Sequence, residues 1–108
     1  MTVVRITVLR RAFYRDLADA FIDGDRFPGG FGLCSLLTEG QSFAADSASE
    51  KPADFPCEWA WTDIRRTVAL VMSEVDRPWF REPGKVVCCC SDGLRPVSFL
   101  VERIPPDA

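Results

Sequence analysis

The sequence has no histidine. That absence removes Ser-His-Asp and Cys-His catalysis, histidine metal ligation and a histidine pH switch together. It has no apolar run approaching the about eighteen residues a membrane helix needs. The opening run, Val3-Val4-Arg5-Ile6-Thr7-Val8-Leu9, is too short and too interrupted for a signal peptide. The expectation is a cytoplasmic protein without membrane association. No basic excess is present either: thirteen Lys and Arg stand against sixteen Asp and Glu, a net charge of −3. Nucleic-acid binding through a positive face is therefore not expected. Internal repeats and low-complexity segments are absent. What remains is a globular composition, 47% hydrophobic and 27% charged over 108 residues, enough for one domain.

The five cysteines, Cys34, Cys57, Cys88, Cys89 and Cys90, contain no Cys-x-x-Cys knuckle. An odd count without knuckles reads as free cytosolic thiols. Three consecutive cysteines in extended chain alternate in direction, so neighbours do not easily share a metal ion. They read as small buried hydrophobes, and neither metal nor cofactor is expected. A rival reading brings Cys34, Cys57 and one of Cys88 to Cys90 together as a metal or redox module.

Periodicity then orders the chain. Residues 3–10 alternate as a strand, and residues 16–22 carry a narrow helical face of Leu17, Ala18, Phe21 and Ile22. Residues 26–32, with Pro28, Gly29 and Gly30, form a loop. Short strands are expected at 33–37 and 41–44, and a surface excursion at 45–53. The clearest helix covers 56–74. Cys57, Trp61, Ile64, Val68, Val71 and Val75 make one stripe, with Asp54 as expected N-cap and Pro56 in the first turn. Residues 86–91 and 96–104 form a hairpin about a tight 92–95 turn. Its register sets Val86, Cys88 and Cys90 opposite Val101, Phe99 and Val97 on one side, with Cys89 opposite Ser98 on the other. Gly93 is expected to need a positive φ. The fold class is α+β: a single small domain, mainly antiparallel sheet, with one long helix packed on it and a C-terminal hairpin.

The run Cys88-Cys89-Cys90-Ser91-Asp92-Gly93-Leu94-Arg95-Pro96-Val97-Ser98-Phe99 resembles the C-terminal signature of a family of small uncharacterised prokaryotic proteins, Cys-Cys-x-Asp-Gly-Leu-Arg-Pro-Val-x-Phe. Val4 to Leu9, Asp16-Leu17-Ala18, Cys34 with Glu39-Gly40-Gln41-x-Phe43, and Cys57-x-Trp59-Ala60-Trp61-x-Asp63-Ile64 are similar to its other segments. Cys90 and residues 44–53 are particular to this chain. The resemblance implies fold and motif boundaries, not a reaction.

Chemistry concentrates in two places. Arg95, stiffened by Pro96 and oriented by Asp92, suits a carboxylate or phosphate anchor. The bland alternative has Asp92 capping backbone N–H groups and Arg95 pairing with Asp92 or Glu102. Along the long helix, Trp59 suits stacking on a flat ligand and Asp63 a carboxylate base. Their bland alternative is packing for Trp59 and a pair with Arg66 for Asp63. Cys57, at the positive end of the helix, offers a thiolate against the opposing charges of Asp54 and Glu58. Glu39 reads as a solvated carboxylate. Gly29-Gly30-Phe31-Gly32 lacks the lysine and hydroxyl of a phosphate loop.

The expectation is a small-molecule-binding or enzymatic domain using carboxylate or thiol chemistry. Its pocket lies between helix and sheet near the 92–96 turn, with Arg95 within reach of Trp59 or Asp63. Asp63, Cys57 and Asp92 are its candidate catalytic residues; Arg95, Trp59 and Cys89 are its candidate ligand contacts. Besides the cysteine module, the rival is a non-catalytic interaction domain docking through Trp79-Phe80. A homo-oligomer is compatible with either.

Overall fold

The computed structural model describes residues 3–105, so the expected proline end at 105–106 is followed only to Pro105. Strict alternation makes strand β1, Val3–Arg11: Val4, Ile6 and Val8 are buried while Arg5 on the opposite face is exposed. The same alternation makes β4, Val97–Ile104, with Val97, Phe99 and Val101 buried. These two pair at the centre of the sheet. The short strands β2, Ser42–Ala45, and β3, Lys85–Cys89, flank them in the order β2-β1-β4-β3. Every pairing is antiparallel.

One face of this sheet is covered by helix α2, Glu58–Met72. Trp61, Ile64, Val68 and Val71 recur every three or four residues and are all buried against β1, β3 and β4. Val75, the last residue of the expected stripe, is 44% exposed, because Glu74 turns into the left-handed region at φ 59° and carries the chain away. The helix also begins later than 56. Its N-cap is Cys57, not Asp54, and the Cys57 Sγ accepts the Ala60 N–H at 3.3 Å. Phe55, just before this start, is fully buried outside any helix or strand. At the other end Arg103 reaches over from β4. Its Nη1 donates to the Val71 carbonyl and its Nη2 to Asp76 Oδ1, both at 2.9 Å. The last-turn carbonyl thereby acquires a cationic donor.

The short helix α1, Arg15–Phe21, departs from this pattern. It buries only Ala18 and leaves Leu17 and Phe21 exposed. Residues 33–37, expected as a strand, are irregular. Beside β1 their place is taken: Val8 donates to the Gln41 carbonyl and accepts from the Gly40 N–H, while the Arg11 N–H donates to Glu39 Oε2. No ladder positions remain for another strand there. A bulge between Val8 and Arg10 shifts β1 against β4 at the same level.

The hairpin has the expected register, with Val86 opposite Val101, Cys88 opposite Phe99 and Cys89 opposite Ser98. Cys90 continues it by donating to the Val97 carbonyl. Cys90 is buried, Cys88 is partly buried and Cys89 is exposed on the uncovered face. Burial pushes the Cys88 thiol up to about 12, so little thiolate forms near neutrality. Thiol labelling of the native protein is therefore expected to modify Cys89 well before Cys88 or Cys90, read by mass spectrometry of the digest. Rapid labelling of Cys90 with Cys89 protected would contradict the register.

Gly93 does not occupy the left-handed region; Gly30, Gly40 and Gly84 do. An added Cβ at Gly93 would meet nothing within 4 Å. The strain expected for Gly93→Val is thus absent.

Candidate functional site

The residues marked by the sequence at the start of α2 do meet the loop after β3. Asp63 Oδ2 accepts both the Ser91 N–H at 2.7 Å and the Ser91 hydroxyl at 2.9 Å. The Trp59 indole N–H donates to Ser91 Oγ at 2.8 Å. Asp63 thus bonds Ser91, not Arg66. A shallow cleft of about 310 Å³ lies here, lined by Trp59, Thr62, Asp63 and Ser91. The hydroxyl both donates and accepts, so the network ties the helix to the hairpin loop.

Asp92 caps the next turn. Its Oδ1 accepts the N–H groups of Leu94 at 2.9 Å and Arg95 at 3.0 Å. Partial burial alone would raise its carboxyl. The two N–H donors and the Arg95 guanidinium outweigh that and hold it below the ordinary value. Stability from this depression is fully present above the unfolded pKa, near 3.8, and is lost as pH falls through the lower folded value. Asp92→Asn keeps an acceptor and loses the charge. Its stability deficit against wild type is expected to be full above pH 3.8 and to narrow in more acidic solution, measured by denaturant unfolding at several pH values. A deficit independent of pH would contradict the assignment.

Arg95 does not line the Trp59–Asp63 cleft. Its Nε donates to Asp92 Oδ2 at 3.3 Å, and its guanidinium carbon lies 4.4 Å from the Phe31 ring centroid. Aromatic stacking directs it toward the glycine loop, away from α2. Glu102, the alternative partner, pairs instead with Arg5 at 3.1 Å. Cys57 serves α2 as its cap. Cys89 lies on the sheet face opposite α2, so it shares no site with Trp59 or Asp63. Glu39 is latched to Arg11, accepting its N–H at 3.0 Å and its Nε–H at 2.9 Å. Among the described residues no three Cys, Asp or Glu side chains are grouped to hold a metal ion, so Cys34, Cys57 and the 88–90 run do not converge as one. Nor is any described helix long and apolar enough to cross a membrane.

A roomier concavity lies elsewhere, beside α1. The 92–96 turn positions it, because Leu94 accepts the Tyr14 N–H and Pro96 accepts the Ala12 N–H. A hollow of about 590 Å³ opens between α1 and the loop at 23–32. That is within the usual range for small-molecule sites, about 300–1,000 Å³. Ala18, Ile22, Phe27 and Phe31 supply apolar surface, Arg15 and Asp19 supply charge, and Gly24, Gly29, Gly30 and Gly32 leave room. Phe27 meets Phe31 edge-on at 6.0 Å, and Phe13 packs on Phe31 from another side at 6.4 Å. The Arg95 stack therefore holds Phe31, a wall of the hollow that Arg95 does not itself line. Arg15 and Asp19 are one helical turn apart, yet no ion pair joins them among the described residues.

By composition this loop is only a glycine run without the lysine and hydroxyl of a phosphate loop. The available signal was finer: Arg15 and Asp19 four apart, Ala18 and Ile22 four apart, then Phe27 and Phe31 bracketing Gly29 and Gly30, with Gly32 after them. Comparison with known proteins adds no assignment: no protein-family model, curated protein or solved structure matches the chain.

Proposed function

We propose that the protein is a small-molecule-binding domain whose ligand occupies the hollow between α1 and the glycine-rich loop. The observation that supports this reading is the pairing of an aromatic-walled cavity with Arg15 and Asp19, two exposed charged side chains that form no ion pair among the described residues. Asp63 Oδ2, both Asp92 carboxylate oxygens and Cys57 Sγ, by contrast, are hydrogen-bonded within the fold. The reading keeps the expectation of a small-molecule site and moves it from the helix–sheet cleft to α1. It assigns Arg95 a positioning role, through Phe31, instead of direct contact.

Gly32→Trp tests it. Gly32 lines the hollow, nothing lies within 4 Å of an added Cβ there, and the backbone is not left-handed, so an indole is accommodated at the hollow's wall without backbone strain. Compounds from a fragment library that raise the melting temperature of the wild type are expected to lose that effect in Gly32→Trp and to keep it in Trp59→Ala. The reverse pattern would return the site to the Trp59–Asp63 cleft and overturn the proposal.

One observation favours a second reading, an interaction domain. Tyr14, Leu17 and Phe21 follow one another at helical spacing on the outer face of α1, and Phe21 is 80% exposed. A second copy of the chain is the simplest partner, since an apolar stripe is complementary to itself. Light scattering over a concentration series would then show a dimer that Phe21→Glu abolishes. A monomer throughout would remove this reading. Trp79, 72% exposed, is not part of that stripe, and Phe80 packs on the core.

A further inference from the structure

We propose that the hollow beside α1 binds a free amino acid with an apolar side chain, recognised as its zwitterion. The inference rests on the reading of the hollow as the ligand site and adds the class of ligand.

The charges come first. Arg15 and Asp19 line the same hollow from one face of α1, four residues apart. Side chains at this spacing on a helix normally reach one another, their Cβ atoms being about 5–6 Å apart. Here no ion pair or side-chain hydrogen bond between them is formed. The Arg15 guanidinium instead lies 5.5 Å from the Phe13 ring centroid. A guanidinium held over a ring keeps the edge of its fork free for a carboxylate. One turn further on, Asp19 offers two oxygens to an ammonium group. A ligand bearing an ammonium and a carboxylate on one carbon can bridge the two side chains and satisfy each with a charge-assisted bond.

The rest of the hollow sets the third group. Past the charged pair lie Ile22, Phe27 and Phe31, which suit an aliphatic or aromatic side chain. The surroundings disfavour other classes. Residues 15–26 hold four aspartates, Asp16, Asp19, Asp23 and Asp25, against Arg15 and Arg26. Arg26 already pairs with Asp23. That excess of negative charge repels phosphates and nucleotides. A simple amine leaves Arg15 unanswered, and a simple carboxylate leaves Asp19 unanswered.

Calorimetric titration separates the possibilities with three probes: L-phenylalanine, phenethylamine, which lacks the carboxylate, and N-acetylphenylalanine, which lacks the ammonium. Phenylalanine is expected to bind at least about tenfold tighter than either, one charge-assisted bond being lost in each case. Arg15→Gln is expected to reduce phenylalanine to the level of phenethylamine while leaving phenethylamine itself unchanged, a pattern that misfolding does not produce. Asp19→Asn is expected to erase the preference over N-acetylphenylalanine in the same way. Three probes binding alike to wild type, and all lost in Gly32→Trp, would overturn the zwitterion class and leave the hollow as the site. No binding by any probe would overturn the amino-acid class and leave the hollow to the fragment test; binding that survives Gly32→Trp would overturn both.

Discussion

Phe55→Ala is expected to lower the unfolding free energy by about 3–5 kcal/mol, the range for truncating a fully buried aromatic ring. Phe55 belongs to no helix or strand, yet only 1% of it is exposed. Its ring lies 4.9 Å from Phe43 of β2, 6.2 Å from Trp61 of α2 and 5.9 Å from Phe99 of β4, centroid to centroid. It therefore joins the edge strand, the helix and the central sheet at one point. Cavity formation there removes three aromatic contacts and leaves walls belonging to regular elements, which cannot collapse inward freely. Its segment is also anchored through the backbone: Lys51 Nζ donates to the Phe55 carbonyl at 2.7 Å. A domain of this size typically has about 5–15 kcal/mol in total, so the variant should sit near the edge of folding. Urea unfolding followed by tryptophan fluorescence measures it. Phe55→Leu, which keeps most of the volume, should lose less. A Phe55→Ala loss under about 1 kcal/mol would show that the ring is not a core element.

Gly84→Val is expected to cost about 2–4 kcal/mol, combining a disfavoured backbone with a disturbed charged network. Gly84 has φ +81°, where a β-branched residue is strained. A Cβ there would also stand 3.1 Å from Arg103 Nη2 and 3.3 Å from its guanidinium carbon. That guanidinium caps the Val71 carbonyl at the end of α2 and pairs with Asp76. Asp76 Oδ1 also accepts the Gly84 N–H at 2.8 Å. The Gly84 N–H first, then the Arg103 guanidinium, hold the Asp76 carboxyl below its ordinary range. Displacing Arg103 thus loosens the helix end and the start of β3 together. A double-mutant cycle with Arg103→Ala separates the two causes. The expected result is a combined loss smaller than the sum of the single losses. Strict additivity would mean that only backbone strain acts at Gly84.

Much of the fold was legible because alternation and the helical stripe both report burial on one face. Val4, Ile6 and Val8, and Trp61, Ile64, Val68 and Val71, carry that signal directly. The hairpin register followed for the same reason, since the period of two leaves one choice of side for Cys88 and Cys90. Phe55 was not legible, because a lone aromatic in an irregular segment has no period. The start of α2 also differs, Cys57 and not Asp54 being its N-cap, because a thiol cap carries a weaker sequence signal than a carboxylate. Residues 33–37 looked like a strand by composition, but strand formation depends on a free partner edge, and residues 40–41 occupy it.

The site was legible only in part. Asp63 and Trp59 were marked as polar and aromatic groups at the helix start, and both do meet the hairpin loop. Their shared partner, Ser91, was not visible, since side-chain bonds across distant segments leave no local pattern. Arg95 was marked for its rigid mount, yet its direction is set by Phe31, more than sixty positions earlier in the chain. The hollow beside α1 was missed because α1 reverses the usual rule. Its small Ala18 faces inward, and its large Leu17 and Phe21 face outward.

The most direct measurement of where a ligand sits is the amide spectrum of nitrogen-labelled protein titrated with L-phenylalanine. The account predicts saturable shifts concentrated in residues 15–32, strongest near Arg15, Asp19 and the glycines flanking Phe31, with smaller shifts at Arg95 through its stack on that ring. Shifts centred on Trp59, Asp63 and Ser91, or a spectrum unchanged at saturating ligand, would contradict it.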